Sequence, residues 1–178
     1  MGIPTLISTA TASGADEVDI TSGITSAYDE YMFVFTDINP VNDGVDFSFQ
    51  VNVAGASGFN ETITSTVFSV YHDEADSAAD LSYFTSLDQA QGTAFQPLAD
   101  SIGNGADEST AGTLHLFNPS NTTYVKHFYC RAQVHNNNNY AKDHFTAGYF
   151  NVTGAIDEIS FKMSAEAFDG VIQMYGIA

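Results

Sequence analysis

Twenty-two acidic side chains stand against four Lys and Arg in this 178-residue chain. The acids come in clusters: Asp16-Glu17, Asp29-Glu30, Asp73-Glu74-Asp76, Asp107-Glu108 and Asp157-Glu158. Paired carboxylates cleave glycosidic bonds when they straddle a cleft and their surroundings split their pKa values. No pair here carries a mark of that arrangement, so the clusters read as solvated acids on loops. Oxygen-rich loops also suit calcium. The best stretch for it is Asp100 to Glu108, where Asp100, Asn104, Asp107 and Glu108 offer oxygen donors. It departs from the EF-hand pattern because Ile102 occupies the third position, where an oxygen ligand belongs. The expectation is therefore no catalytic residue and no cofactor, with calcium on those four residues as the one alternative.

The five histidines (His72, His115, His127, His135 and His144) show no helical zinc-protease spacing. No Gly-x-Ser-x-Gly elbow surrounds any serine, and Gly103-Asn104-Gly105 matches no phosphate-binding loop. Cys130 is the sole cysteine. It excludes an intramolecular disulfide and a cysteine-based zinc site, and in an alternating apolar run it reads as a small buried hydrophobe. The run His135-Asn136-Asn137-Asn138-Asn139-Tyr140 is the oddest local feature. Asn side chains both donate and accept and tolerate turn geometry, and the flanking rings could stack on a sugar. His135, Asn137, Asn138 and Tyr140 are thus candidates for glycan contact; the plainer reading is a polar hairpin loop.

A formal charge of −18 argues against a nucleic-acid partner, whose phosphates need Lys and Arg, and against an anionic membrane surface. No apolar run approaches the ~18 residues of a membrane helix. The N-terminal Met1-Gly2-Ile3-Pro4-Thr5-Leu6 lacks a basic segment followed by a continuous apolar one, so no secretory signal is expected. With 44% apolar residues, 14 Phe and 9 Tyr, the chain has the material for a core despite its charge.

The elements that must position these groups are strands. Val45 to Val53 alternates apolar and polar strictly, which buries one face and wets the other. Tyr31–Ile38, Thr62–Tyr71, Gly112–Phe117, Thr123–Val134, His144–Val152, Ala155–Met163 and Val171–Ile177, rich in β-branched and aromatic residues, read as further strands. An N-terminal strand over Leu6–Ala12 continues near Val18–Ile20. Asn42-Asp43-Gly44, Asn39-Pro40 and Asn118-Pro119 punctuate the runs. About eight or nine short strands make a sandwich or barrel. The predicted fold is all-β: one domain over residues 1–178, an antiparallel two-sheet sandwich of jelly-roll type. An immunoglobulin-like sandwich is the alternative. One long irregular excursion, about 73–110, is expected, with at most one helical turn, and long ordered excursions often carry partner contacts. Tyr31–Phe35 and Phe145–Phe150 are apolar on both faces, which points either to cover by the long excursion or to a subunit interface. Leu6, Ile7, Tyr31, Phe33 and Phe35 are the candidates for attachment or interface, with residues 1–20 as an attachment or intersubunit strand.

Several runs resemble a module that recurs among virion proteins of tailed phages of marine bacteria, including cyanophages and pelagiphages. They include Ile24-Thr25-Ser26-Ala27-Tyr28-Asp29-Glu30-Tyr31, Gly58-Phe59-Asn60-Glu61-Thr62-Ile63-Thr64-Ser65-Thr66, and Asp88-Gln89-Ala90-Gln91-Gly92-Thr93. Leu114-His115-Leu116-Phe117-Asn118-Pro119-Ser120, Ala147-Gly148-Tyr149-Phe150-Asn151 and Ile156-Asp157-Glu158-Ile159-Ser160-Phe161-Lys162-Met163-Ser164 belong to the same likeness. It spans nearly the whole chain and carries no catalytic signature. What it implies is a structural protein on a virion exterior, assembled in the host cytoplasm. A capsid decoration or knob is favoured; a tail-fibre tip that reads host surface glycans is the alternative. Expected partners are capsid or other virion proteins and further copies of the chain, a trimer being favoured. A strong negative charge would keep such a protein soluble at high copy number and away from packaged nucleic acid.

Overall fold

The computed structural model describes residues 2–178. Among them every regular element is a strand. In chain order these are β1 (Thr5–Ala15), β2 (Glu17–Ile20), β3 (Glu30–Pro40), β4 (Val45–Val53), β5 (Ile63–Asp73), β6 (Ala79–Tyr83), β7 (Ala90–Gly92), β8 (Gln96–Ile102), β9 (Thr110–Phe117), β10 (Lys126–Asn136), β11 (Tyr140–Phe150), β12 (Ile156–Met163) and β13 (Phe168–Ile177).

Eight of them build the frame. One sheet runs β1-β13-β3-β9 and the facing one β2-β12-β4-β8, with every neighbouring pair antiparallel. The chain alternates between the sheets so that its first and last frame strands are neighbours, which is the double Greek key of a jelly roll. Two insertions enlarge the first sheet. β10 and β11 form a hairpin against β9, and β5 adds to β11 over its full length, with β6 and β7 on its far side. Asn136 at the end of β10 pairs with Ile102 of β8, and β1 passes into β2 across Asp16 at the opposite side. The sheet is therefore nearly closed.

The core is aromatic. Phe47 of β4 packs on Phe35, Phe161 and Phe168 at ring separations of 5.3, 5.8 and 5.7 Å. Phe49, two residues on and on the same face, meets Phe128 and Phe150 at 5.1 and 5.8 Å. One buried cluster thus runs from the frame into the inserted hairpin. Each fully buried Phe contributes about 1.5–3 kcal/mol relative to exposure. Two glycines make room for the rings. A Cβ on Gly112 would lie 2.6 Å from the Phe35 ring and 2.5 Å from the Arg131 carbonyl oxygen. One on Gly148 would meet the Phe128 ring at 2.9 Å and the Thr64 carbonyl oxygen at 2.5 Å.

Three expectations change. The stretch 73–110 is not one irregular excursion: it holds β6, β7, the frame strand β8 and the start of β9, and no helical turn. β8 escapes the alternation rule because it is buried on both faces, so Asp100 sits beside Leu98 and Ile102 in burial. The polar face of β4 is not wet either. Gln50 donates through Nε2 to the carbonyls of Glu61, Thr93 and Ala94 at 3.0–3.3 Å, and Asn52 accepts from the Phe59 amide at 2.8 Å. The segments flanking β5 and β7 fold over that face. Tyr31, Phe33 and Phe35 are core rather than interface, each with no exposed surface. Their β3 neighbours Met32 and Val34 point the other way and are half-buried, so the two-faced run reports two different environments. Tyr31 anchors its hydroxyl locally, accepting from the Thr25 amide at 2.7 Å and donating to the Thr25 carbonyl at 2.9 Å.

Candidate functional site

The insertions give the first sheet an outer face wider than the frame needs. Alternation brings the outward-facing side chains of β9, β10, β11 and β5 onto it, and the register sets who meets whom. Tyr129 lies opposite His115, and Phe145 lies between Arg131 and Phe68. His115 and Tyr129 stack at 4.6 Å, with Phe117 tilted 5.7 Å from Tyr129. Phe68 and Phe145 stack at 4.8 Å and 6°. The Arg131 guanidinium rides 5.0 Å over Phe145 and forks onto Asp143, its Nη2 at 2.6 Å. Phe68, Val70, Leu81 and Tyr83 leave 42, 43, 66 and 52% of their surface exposed. These four with Phe145 make an apolar patch on β5, β6 and β11.

At the other end of the same face lies a cleft of about 610 Å³, walled by Phe117, Tyr124, Val125 and His127 and rimmed by Asn118, Asn121, Thr123 and Thr153. Its shape is built from the turn outward. β9 stops where Asn118 takes a left-handed φ of 46°, which its short polar side chain tolerates. The Asn121 carboxamide oxygen then accepts from the amides of Thr123 and Tyr124 at 2.7 and 2.8 Å. Below the cleft, Lys126 is fully buried. Its ammonium donates to the carbonyls of Tyr124, Thr153 and Val152 at 2.9, 3.2 and 3.4 Å. Three donors meeting three carbonyls satisfy an ammonium without a counter-ion, and burial pulls its pKa down. The lysine clamps the loop before β10 to the loop after β11, and these are the two sides of the cleft. A second hollow of about 450 Å³, with Tyr129 and Tyr149 in its wall, shares Phe117 and His127 with the first.

The sequence candidates fall elsewhere. Asn137–Asn139 form the tip of the β10–β11 hairpin, as the polar-loop reading has it. Asn136 is buried and accepts from the Asn138 amide at 2.9 Å. His135 stands 3.5 Å from Glu74 and 3.7 Å from Glu108, and Tyr140 stacks on Tyr71 at 5.1 Å. These groups are engaged with their own chain, though Asn138 and Asn139 border a hollow with Asp73 and Glu74. Of the calcium quartet, Asp100 is committed to other partners. Asp100 is inside β8, its carboxylate 2.5 Å from the Lys142 ammonium and 3.0 Å from His144 Nδ1. Asn104 donates to the Val41 carbonyl at 2.9 Å, and Glu108 accepts from the Gly105 amide at 2.6 Å. Asp107 is exposed. Among the described residues no three His, Cys, Asp or Glu side chains group so as to hold a metal ion. Leu6 is half exposed on β1 and Ile7 packs against the core. β1 pairs with β13 and takes no ladder partner on its other edge among the described residues.

The clustered acids mostly hold the chain itself. Asp73 accepts from the amides of Ser77 and Ala78 at 2.8 Å, and its carboxyl sits below the usual range, first through the Ser77 hydroxyl bond. Glu30 bonds His115 Nδ1 at 2.5 Å, and Glu158 accepts from Asn52 at 2.7 Å. Sequence reading missed the cleft and the buried Asp100–Lys142–His144 trio. A signal for the trio exists: Lys142, His144 and Thr146 occupy the positions of β11 that alternation assigns to the core. The cleft has a fainter one, the turn-rich Asn118-Pro119-Ser120-Asn121-Thr122-Thr123 placed between aromatic strand ends. No protein-family model and no curated protein gives a significant match to this chain.

Proposed function

We propose that the chain is a non-enzymatic structural protein of the exterior of a tailed-phage virion, a capsid decoration or knob assembled as a homo-oligomer, with a trimer favoured. The observation that carries this reading is the apolar patch of Phe68, Val70, Leu81, Tyr83 and Phe145. In a chain of net charge −18, a contiguous exposed apolar surface marks a place where another protein binds. It sits on strands that the frame does not need for its own closure, which is what an added contact surface looks like. The free edge of β1, with Leu6 exposed, is a second attachment point. The likeness of the chain's wording to virion modules of marine phages supports the same assignment.

The second reading, a tail-fibre tip that recognises host surface glycans, is favoured by the cleft itself. Immunogold electron microscopy of purified particles separates the two: label over the head supports decoration, label at the tail tip supports the fibre. Light scattering on the isolated protein should show an oligomer that Phe68→Glu with Leu81→Glu disperses. A stable monomer that is absent from purified particles would overturn the virion assignment.

A further inference from the structure

We infer that the cleft between the 118–124 loop and the loop after β11 is a binding site for a neutral oligosaccharide. The lining supplies both kinds of contact that a sugar needs. Phe117 and Tyr124 offer apolar ring faces, suited to the C–H face of a pyranose. The Asn118 carboxamide, the Asn121 Nδ2 and the hydroxyls of Thr123 and Thr153 make no hydrogen bond within the described chain. Amides and hydroxyls that both donate and accept match sugar hydroxyls, which do the same. A few convergent polar groups in an apolar hollow is the usual build of a small-molecule site.

Charge selects the class. Among the described residues no Asp, Glu, Lys or Arg borders the cleft, and His127 is the one basic side chain in its wall, so no permanent charge compensates an ionic ligand. The −18 charge of the whole chain repels sulfated or uronic polymers. The neighbouring hollow, joined through Phe117 and His127 and walled by Tyr129 and Tyr149, continues the aromatic track and favours several sugar units over one. The Lys126 clamp on the Tyr124 and Thr153 carbonyls holds both sides in place before binding, so little ordering entropy opposes it.

This inference goes beyond the virion assignment and is tested apart from it. The intact protein is titrated by NMR with neutral oligosaccharides (gluco-, manno-, galacto- and xylo-oligomers) and with alginate as the acidic comparison. Shifts confined to Phe117–His127, Thr153, Tyr129 and Tyr149 are expected, growing with chain length, with alginate silent. Tyr124 is 69% exposed, so Tyr124→Ala should leave the thermal midpoint in place while weakening binding about tenfold, the effect of one stacked ring. Silence across the neutral panel to millimolar concentration overturns the inference. So do shifts centred on the 135–140 loop, preference for alginate, or resonances showing the cleft covered by a second copy. Particle labelling with no sugar binding would leave the virion reading standing and remove this one.

Discussion

Replacing Asp100 by Asn should cost this protein more stability at neutral pH than any exposed acid does, and the cost should fade on acidification. Asp100 lies between Lys142 and His144, with side-chain exposures of 9, 7 and 0%. Burial raises its pKa, but the His144 and Lys142 contacts outweigh that and hold it at about 2, against 3.8 for a free aspartate. That difference corresponds to about 2 kcal/mol of stability at pH 7. Asp100→Asn also leaves the Lys142 ammonium buried without its counter-ion, which brings the expected loss to about 3–5 kcal/mol. Because the folded pKa is depressed, the stabilisation is fully present above the unfolded value and disappears as pH falls towards about 2. Asp46 nearby is pushed up, first by burial, and titrates in the opposite sense. The part due to burial is common to both proteins and cancels in the gap between them; the part due to the Asp100 charge is relieved in the variant and trims the gap at neutral pH. Urea unfolding of both proteins between pH 7 and pH 2.5 measures that gap. It should be constant down to about pH 5 and narrow below. A gap under about 1 kcal/mol at pH 7, or one that widens on acidification, would refute the reasoning. Asp100→Leu combined with Lys142→Met should recover most of the loss, since an apolar pair of similar volume needs no counter-ion.

Lys126→Met should orphan the carbonyls of Tyr124, Val152 and Thr153. A stability loss of about 1–3 kcal/mol is expected, with hydrogen exchange accelerated in the two loops and not in β10. Tyr31→Phe removes the hydroxyl's hydrogen bonds to Thr25 and should cost about 1–2 kcal/mol in denaturant unfolding without changing the oligomeric state, as befits a core residue. Gly148→Ala places a methyl 2.5 Å from the Thr64 carbonyl oxygen. A drop of about 1–3 kcal/mol should appear in thermal unfolding, with β5 protection lost first.

Much of the fold was open to reading from the residues. Ten of the strands lie where alternation, Gly and Pro put them, because half-buried antiparallel strands write their two environments into a period of two. Gly44 takes the positive φ, 70°, that Asn42-Asp43-Gly44 announces. β6, β7 and β8 were not readable for separate reasons. β6 and β7 are largely exposed and show no buried face. β8 is buried on both sides with Gln96 and Asp100 in its interior, so polar residues there argue against a strand until their partners are known.

The candidate site divides the same way. Composition alone sets the acidity, the absence of a disulfide and the abundance of aromatic rings, since these depend on residue types and not on position. The outer or inner fate of each ring depends on register and on which strands are neighbours. Phe35 and Phe68 look alike in sequence, yet one is fully buried and the other 42% exposed. Lys126, next to the strand end, looks like a surface lysine until the return of the chain after β11 brings two carbonyls to it. Contacts of that kind join residues more than twenty positions apart, and no local period records them. Tertiary structure alone moves Asp100 from a loop-ligand candidate to a buried ion pair, and it alone gathers Phe117, Tyr124, His127 and Thr153 around one cleft.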